Sequence, residues 1–418
     1  MIRRISTSHD RSARRVAIAV GMLCALLVSA CGATTPTTSA APATATTAAT
    51  AKPAVPGVTD TEVVVGSWGP QDGPAGAYGA IDRTLDAYFK MINDQGGVNG
   101  RKIRFIYEND SYQPAKTVAA VKKLVEEDKV FAIVGGLGTA QNAAVMDYIV
   151  QNNVPHVWPA TGSGILATPL KKNVYAVQLN YTIEATLATQ YALDTLGAKK
   201  FAVFYQNDAF GQEGLNAVQA ELKKRNLPAA AAVSYETTDT NFSAQALKLQ
   251  TSGADTVILY AVPAPGGSIV AEMSKIGYAP RLLSSSVIND PSIFRLAGPA
   301  INGMLIEAYL PPFDDTTNPK IVQYQAFMAK YAPKEQIGGF TEAGYAYGQV
   351  FIEALTRAGR ELSREGFMTN LDQMKNFTGS LVPSLSYSPT DHSGIKAAYF
   401  QAAKDGKFVN VTDYITLK

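Results

Sequence analysis

The chain has 418 residues, 46% of them apolar and 17% charged, with 37 basic and 35 acidic side chains and two cysteines. That length suffices for one or two hydrophobic cores, and so few cysteines exclude a disulfide-stapled scaffold. Five arginines fall within the first fifteen residues, so the body beyond them is slightly acidic, and no later stretch mixes clustered Lys and Arg with aromatics as a nucleic-acid partner would require.

Residues 1–30 read as a secretory signal peptide. Arg3, Arg4, Arg11, Arg14 and Arg15 form a basic start, and the apolar run Val16 to Val28 follows, in the order of such leaders. The run is too short for the roughly 20 residues that span a bilayer as a helix. It ends in Val28-Ser29-Ala30-Cys31-Gly32, which resembles the lipobox of bacterial lipoproteins. The resemblance implies cleavage before Cys31, a diacylglyceryl group on its sulfur, and anchoring to the outer face of the cell membrane by that lipid alone. An ordinary secretory cleavage site preceding a cysteine is the other reading. The remaining cysteine, Cys24, lies within the leader. Residues 31–59 follow as a tether: from Thr34 to Pro56 they are almost entirely Thr, Ala, Pro and Ser, with Lys52 as the only charge. Such a composition has too little apolar bulk to offset the entropy of ordering.

From Thr61 onward, short β-rich runs alternate with amphipathic stretches. Glu62 to Gly66 is a predicted strand, and Ile81, Leu85, Tyr88 and Ile92 recur at helical spacing up to Gly96-Gly97, where glycine suits a left-handed cap. A strand follows at Ile103 to Tyr107, then a helix from Pro114, a strand at Val130 to Val134, a helix from about Thr139 and a strand at His156 to Trp158. The alternation restarts with strands at Phe201 to Tyr205, Ala230 to Ser234, Thr256 to Tyr260 and Leu282 to Ser285. Between these lie predicted helices at Gly211 to Arg225, Phe242 to Thr251 and Ser268 to Ile276. Helices near Ile321 to Tyr331, Ala343 to Arg357 and Arg364 to Met374 and a strand pair near Lys396 to Phe400 and Phe408 to Val409 complete the chain. Two successive sets of βαβ units predict an α/β protein of two doubly wound, mostly parallel-sheet lobes.

Several local patterns occur in a fixed order: Gly69-Pro70 with Ala77-Tyr78-Gly79, Gly96-Gly97-Val98-Asn99-Gly100, Glu108-Asn109-Asp110 before Pro114, Val134-Gly135-Gly136, Pro159-Ala160-Thr161, and Phe210-Gly211 with Gly214-Leu215. In this order the chain resembles the type I periplasmic binding proteins, and among them the branched-chain (Leu/Ile/Val) amino acid-binding family of ABC transporter substrate-binding lipoproteins. The resemblance implies two lobes joined by crossover strands with a cleft between them. On it, residues 60–178 and 314–380 form lobe 1, and 179–313 and 381–418 form lobe 2. It further implies a monomer that captures a small polar ligand by hinge closure and hands it to an ABC importer permease, with no cofactor.

The family holds the ligand carboxylate at a helix N-terminus, where free N–H groups and the helix dipole favour an anion. The matching positions are Gly138 and Thr139, with Ala160, Thr161 and Gly162 as the second turn; a plain helix cap is the alternative. Tyr78 falls at a family tyrosine near the ligand, with Trp68 and Gln71 expected on the same rim; for Trp68, core packing is an equal alternative. The second lobe departs from the pattern. Phe210 stands where the family has a tyrosine, Val262 begins a Pro-rich stretch after Tyr260 where it has another, and Ser286 stands at the acid that pairs with the ligand ammonium. A buried ammonium lacking a counter-charge costs several kcal/mol, so the expected ligand is either amino acid-like or a carboxylate with an apolar or aromatic tail, which Phe210, Tyr260 and Val262 would suit as ligand-binding residues. Asp208 is the residue that can restore a charge if it points inward.

Catalysis is not expected. Past the leader only His156 and His392 remain, no Gly-x-Ser-x-Gly elbow occurs, and no His, Cys and Asp are spaced as metal ligands. The sequence Gly136-x-Gly138-x-x-Gln141 lacks the third glycine of a dinucleotide fingerprint. A ligand-sensing receptor module without transport is the alternative function on the same fold.

Overall fold

The computed structural model describes residues 54–417. The signal peptide, Cys31 and nearly all of the tether lie outside the described residues. The first half of the body is built from β1 (Glu62–Gly69), α1 (Gly79–Asp94), β2 (Lys102–Asn109), α2 (Pro114–Lys122), β3 (Ala132–Val134), α3 (Thr139–Gln151), β4 (His156–Val157) and β5 (Val174–Tyr175). These strands form one all-parallel sheet in the order β2-β1-β3-β4-β5. Pro114 opens α2, at a position where its missing N–H leaves nothing unpaired.

The second half begins with α4 (Tyr181–Asp194), whose first amides are capped by the Asn180 side chain. It continues through β6 (Phe201–Gln206), α5 (Ala209–Lys224), β7 (Ala231–Tyr235), α6 (Ser243–Ser252), β8 (Thr256–Tyr260), α7 (Pro263–Lys275), β9 (Arg281–Ser284), α8 (Ser292–Ala297) and β10 (Leu305–Ala308). After α9 (Pro319–Tyr331), α10 (Gly339–Ala358) and α11 (Arg364–Asp372), the chain closes with β11 (Tyr399–Lys404) and β12 (Lys407–Asn410). The second sheet runs β12-β11-β10-β9-β8-β6-β7. Its core strands are parallel, whereas β10–β11 and β11–β12 pair antiparallel.

Both faces of each sheet are covered, so alternate residues of a strand enter different cores. In β6, Ala202 and Phe204 face one core while Phe201, Val203 and Tyr205 face the other. In β1, Val63 and Val65 enter the core shared with α1 and α10, while Val64 and Trp68 enter the core formed with α3 and its neighbours. Close approach is needed in places. A Cβ on Gly214 would lie 2.3 Å from the Tyr260 ring, so only glycine lets α5 settle on β8.

The chain passes between the sheets through residues 176–180, 309–318 and 373–398. The last return comes later than the expected 381, because Leu381, Val382, Leu385, Tyr387 and Ile395 are buried in the core of the first sheet. The Pro-rich stretch after Tyr260 opens a helix earlier than the predicted start at Ser268: Pro263 is the first residue of α7, with Val262 at its N-cap.

Candidate functional site

The carboxyl ends of the parallel strands from both sheets converge on one cleft, the place where open α/β sheets bind ligands. It holds about 810 Å³ of unfilled space, open solvent at its mouth included. The first half contributes Tyr78, Tyr112, Gly138, Thr139 and Ala160. The second contributes Tyr181, Phe210, Val262, Ser286 and Asn289, the crossovers add Gln178 and Tyr309, α10 adds Glu342 and Tyr347, and β11 adds Tyr399 and Gln401.

The polar end on the first half is the start of α3. Gly138 is its N-cap at φ 101°, and no side chain caps the helix. A Cβ there would lie 2.1 Å from Gln141 Oε1, so a left-handed glycine is what lets the backbone turn into the helix. The turn is held by a bridge between Leu137 and Ala160 and by the Ala160 N–H donating to the Gly136 carbonyl at 3.1 Å. Asn142 Nδ2 donates to the carbonyls of Gly136 and Gly138 at 2.8 and 2.7 Å. The buried hydroxyls of Thr139 and Thr161 lie 2.7 Å apart. A helix N-terminus without a capping side chain offers N–H groups and a partial positive charge to an anion.

Of the residues expected in the site, Tyr78, Gly138, Thr139, Ala160, Phe210, Val262 and Ser286 line the cleft. Thr161 and Gly162 stand directly behind it, on the wall of a neighbouring cavity. Four others are placed elsewhere. Trp68 is fully buried in the core formed with α3, its ring centroid 5.2 Å from that of His156, because β1 extends to Gly69 and carries Trp68 on the same face as Val64. Gln71 donates to Asp82 Oδ2 at 3.1 Å and accepts from Arg83 at 2.9 Å. Asp208 does not point into the cleft: it is the N-cap of α5, accepting from the amides of Phe210 and Gly211 at 3.0 and 3.2 Å. Tyr260 is fully buried, its hydroxyl donating to the Tyr181 carbonyl at 3.0 Å.

Residues that local patterns did not mark complete the site. Tyr112 has φ 61°, a strained value for a bulky side chain. The Asp110 carboxylate holds that turn, accepting from the Tyr112 N–H at 2.8 Å and the Thr117 hydroxyl at 2.7 Å. The one local signal was the Asp110-to-Pro114 turn ahead of α2. Ser286, where an acid was expected to be missing, donates from Oγ to Glu184 Oε1 at 2.6 Å. Burial raises the Glu184 carboxyl, and burial beside Glu184 raises that of Glu307; Glu184 stands behind the cleft wall, reached through Ser286.

The two halves touch around the cleft. Tyr78 Oη donates to the Val287 carbonyl at 3.0 Å, Gln206 Nε2 to Tyr112 Oη at 3.3 Å, and Ser163 Oγ to Glu213 at 2.7 Å. Among the described residues, no group of His, Cys, Asp and Glu is placed to hold a metal ion, and no helix is long and apolar enough to cross a membrane.

The sequence pattern of the family described as periplasmic binding protein matches residues 62–407. The chain belongs to the periplasmic binding protein family. It has the type I periplasmic binding protein fold, and the family comprises extracytoplasmic proteins that bind small molecules and work with ABC transporters. A Leu/Ile/Val-binding protein homolog of Brucella melitensis is 26% identical over 355 residues, covering 84% of this chain and 94% of the relative. A fatty acid ABC transporter substrate-binding protein from Thermomonospora curvata superposes with a TM-score of 0.77 at 22% identity, over 87% of this chain and 95% of the other. A branched-chain amino acid ABC transporter protein from Thermus thermophilus with bound valine gives 0.78 at 19% identity, over 85% and 97%. At such identities the two structural likenesses carry the periplasmic binding protein fold and not a ligand.

Proposed function

We propose that this periplasmic binding protein is a lipid-anchored, monomeric substrate-binding component. It captures a small polar solute by hinge closure between its two sheet-built lobes and delivers it to the permease of an ABC importer. It acts by binding, without catalysis. Cys31 is its lipidated N-terminus at the outer face of the cell membrane, and the Thr/Ala/Pro tether holds the body away from the lipid. The observation that carries the ligand reading is the uncapped start of α3 opening onto a cleft walled by tyrosine and phenylalanine. An anionic group sits at the Gly138 and Thr139 amides, with the Ala160 to Gly162 turn beside it, and an apolar or aromatic body lies against Tyr78, Phe210 and Val262. The ligand is amino acid-like or a carboxylate of that shape.

The test is a thermal-shift screen of the protein against α-amino acids, aliphatic and aromatic carboxylates, ω-amino acids and amides, followed by calorimetry. A ligand at a thousand times its Kd adds about 4 kcal/mol of stability, which a melting curve reads easily. A screen in which every carboxylate leaves the melting temperature unchanged, while solutes without an anionic group raise it, overturns the anion site at α3. Labelling with radioactive palmitate, present in the parent and absent in Cys31→Ser, tests the anchor.

A further inference from the structure

Among the described residues, the cleft lining contains no Lys, Arg or His, and its single acid is Glu342, in the first turn of α10. The residue is 3% exposed, and Oε1 has no hydrogen-bond partner. A buried carboxyl oxygen without a partner is costly, so a structure that retains one in the wall of a ligand cleft points to a group supplied from outside. The surroundings specify which kind. Glu342 lines the cleft together with the rings of Tyr309, Phe340, Tyr347 and Tyr399. Aromatic faces attract cations, and cages of them recognise organic ammonium groups. We propose that Glu342 is a specificity-determining residue that receives an ammonium group of the ligand, primary or quaternary, among these rings. This rests on the reading of the cleft as a solute site and deepens it: the solute is a zwitterion whose positive group is read by α10, not by the second-lobe position where Ser286 stands.

The charged and titratable groups facing Glu342 add no cation. Asp314 from the second crossover raises its carboxyl further above the ordinary range, on top of burial. Tyr324 of α9, Tyr399 of β11 and Tyr414 near the C-terminus are the others that sense its charge. Burial and Asp314 both favour the protonated form of the free carboxyl. An arriving ammonium favours the carboxylate, so binding releases a proton.

The experiment is calorimetry on the full chain with isosteric pairs: 5-aminopentanoate against hexanoate, and 4-(trimethylammonio)butanoate against 5,5-dimethylhexanoate. In at least one pair the ammonium member is expected to bind ten-fold or more tightly than its carbon isostere. Glu342→Gln is expected to abolish that preference while leaving the isostere's affinity within about three-fold. Titrations in buffers of different ionisation enthalpy are expected to show a proton released on binding by the parent, a readout that does not need the variant to fold. Equal binding within both pairs, no binding of either ammonium member, or no proton release overturns the assignment of Glu342. If nitrogen-free carboxylates bind while the ammonium members do not, the solute-binding reading stands and only Glu342 is wrong.

Discussion

The Tyr78 hydroxyl donates to the Val287 carbonyl at 3.0 Å, linking residues 209 apart in sequence and on opposite sides of the cleft. The Tyr78 ring also packs on Phe340, with centroids 4.4 Å apart. The bond ties the halves together, as do those from Gln206 to Tyr112 and from Ser163 to Glu213. A net hydrogen bond is worth about 0.5–1.5 kcal/mol, so Tyr78→Phe should shift the balance toward an open form by about two- to twelve-fold. Small-angle scattering of the ligand-free variant should give a larger radius of gyration than the parent. Identical scattering together with identical ligand affinity means that this bond does not hold the halves.

Thr139 offers the next test, because its hydroxyl lies 2.7 Å from that of Thr161 at the start of α3. Thr139→Val keeps the shape and removes the hydroxyl. Hydrogen bonds to charged groups contribute about 1.5–3 kcal/mol, so the affinity for a carboxylate ligand should fall at least about ten-fold by calorimetry, while the protein still melts cooperatively. Unchanged affinity takes Thr139 out of the site.

Trp68 is placed in the core against His156 and beneath Gly136. Trp68→Phe should therefore lower stability by about 1–3 kcal/mol through the cavity it leaves, and ligand affinity should stay within about two-fold. A variant that melts like the parent yet binds ten-fold more weakly would return Trp68 to the cleft wall.

Asp82 gives a pH signature. Burial raises its carboxyl to about 7 from 3.8, although Ser67 and Gln71 donate hydrogen bonds to it and lower it in part. The folded state binds the proton more tightly than the unfolded chain, so the stability this group confers is full below about pH 4 and is lost as pH rises toward 7. The loss is on the order of 4 kcal/mol. Asp82→Asn does not ionise, so its melting temperature relative to the parent should climb between pH 4 and pH 7 and then level off. A difference independent of pH shows that Asp82 is ionised throughout.

The chemistry of the residues themselves made much of the fold legible. Strands rich in Val and Ile, helices opened by Pro114 or ended at Gly96-Gly97, and their alternation specify parallel βαβ units, because hydrophobic period and end signals are local properties of the chain. The start of a helix at Thr139 was legible for the same reason, whereas its reading as an anion site came from the family resemblance, a plain helix cap being the local alternative.

Which face a residue takes was decided only by tertiary structure. In a sheet covered on both sides, alternation carries no polar-to-apolar contrast, so nothing local showed that β1 runs on to Gly69 and carries Trp68 into the core. Asp208 likewise could be an inward charge or a cap until the turn into α5 was seen. The far side of the site was beyond any local pattern. Tyr309, Glu342, Tyr399 and Gln401 come from a crossover, from α10 and from an antiparallel strand. They meet the Gly138 turn because the chain passes between its two sheets more than once, and contacts between residues so distant in sequence are set by packing rather than by spacing.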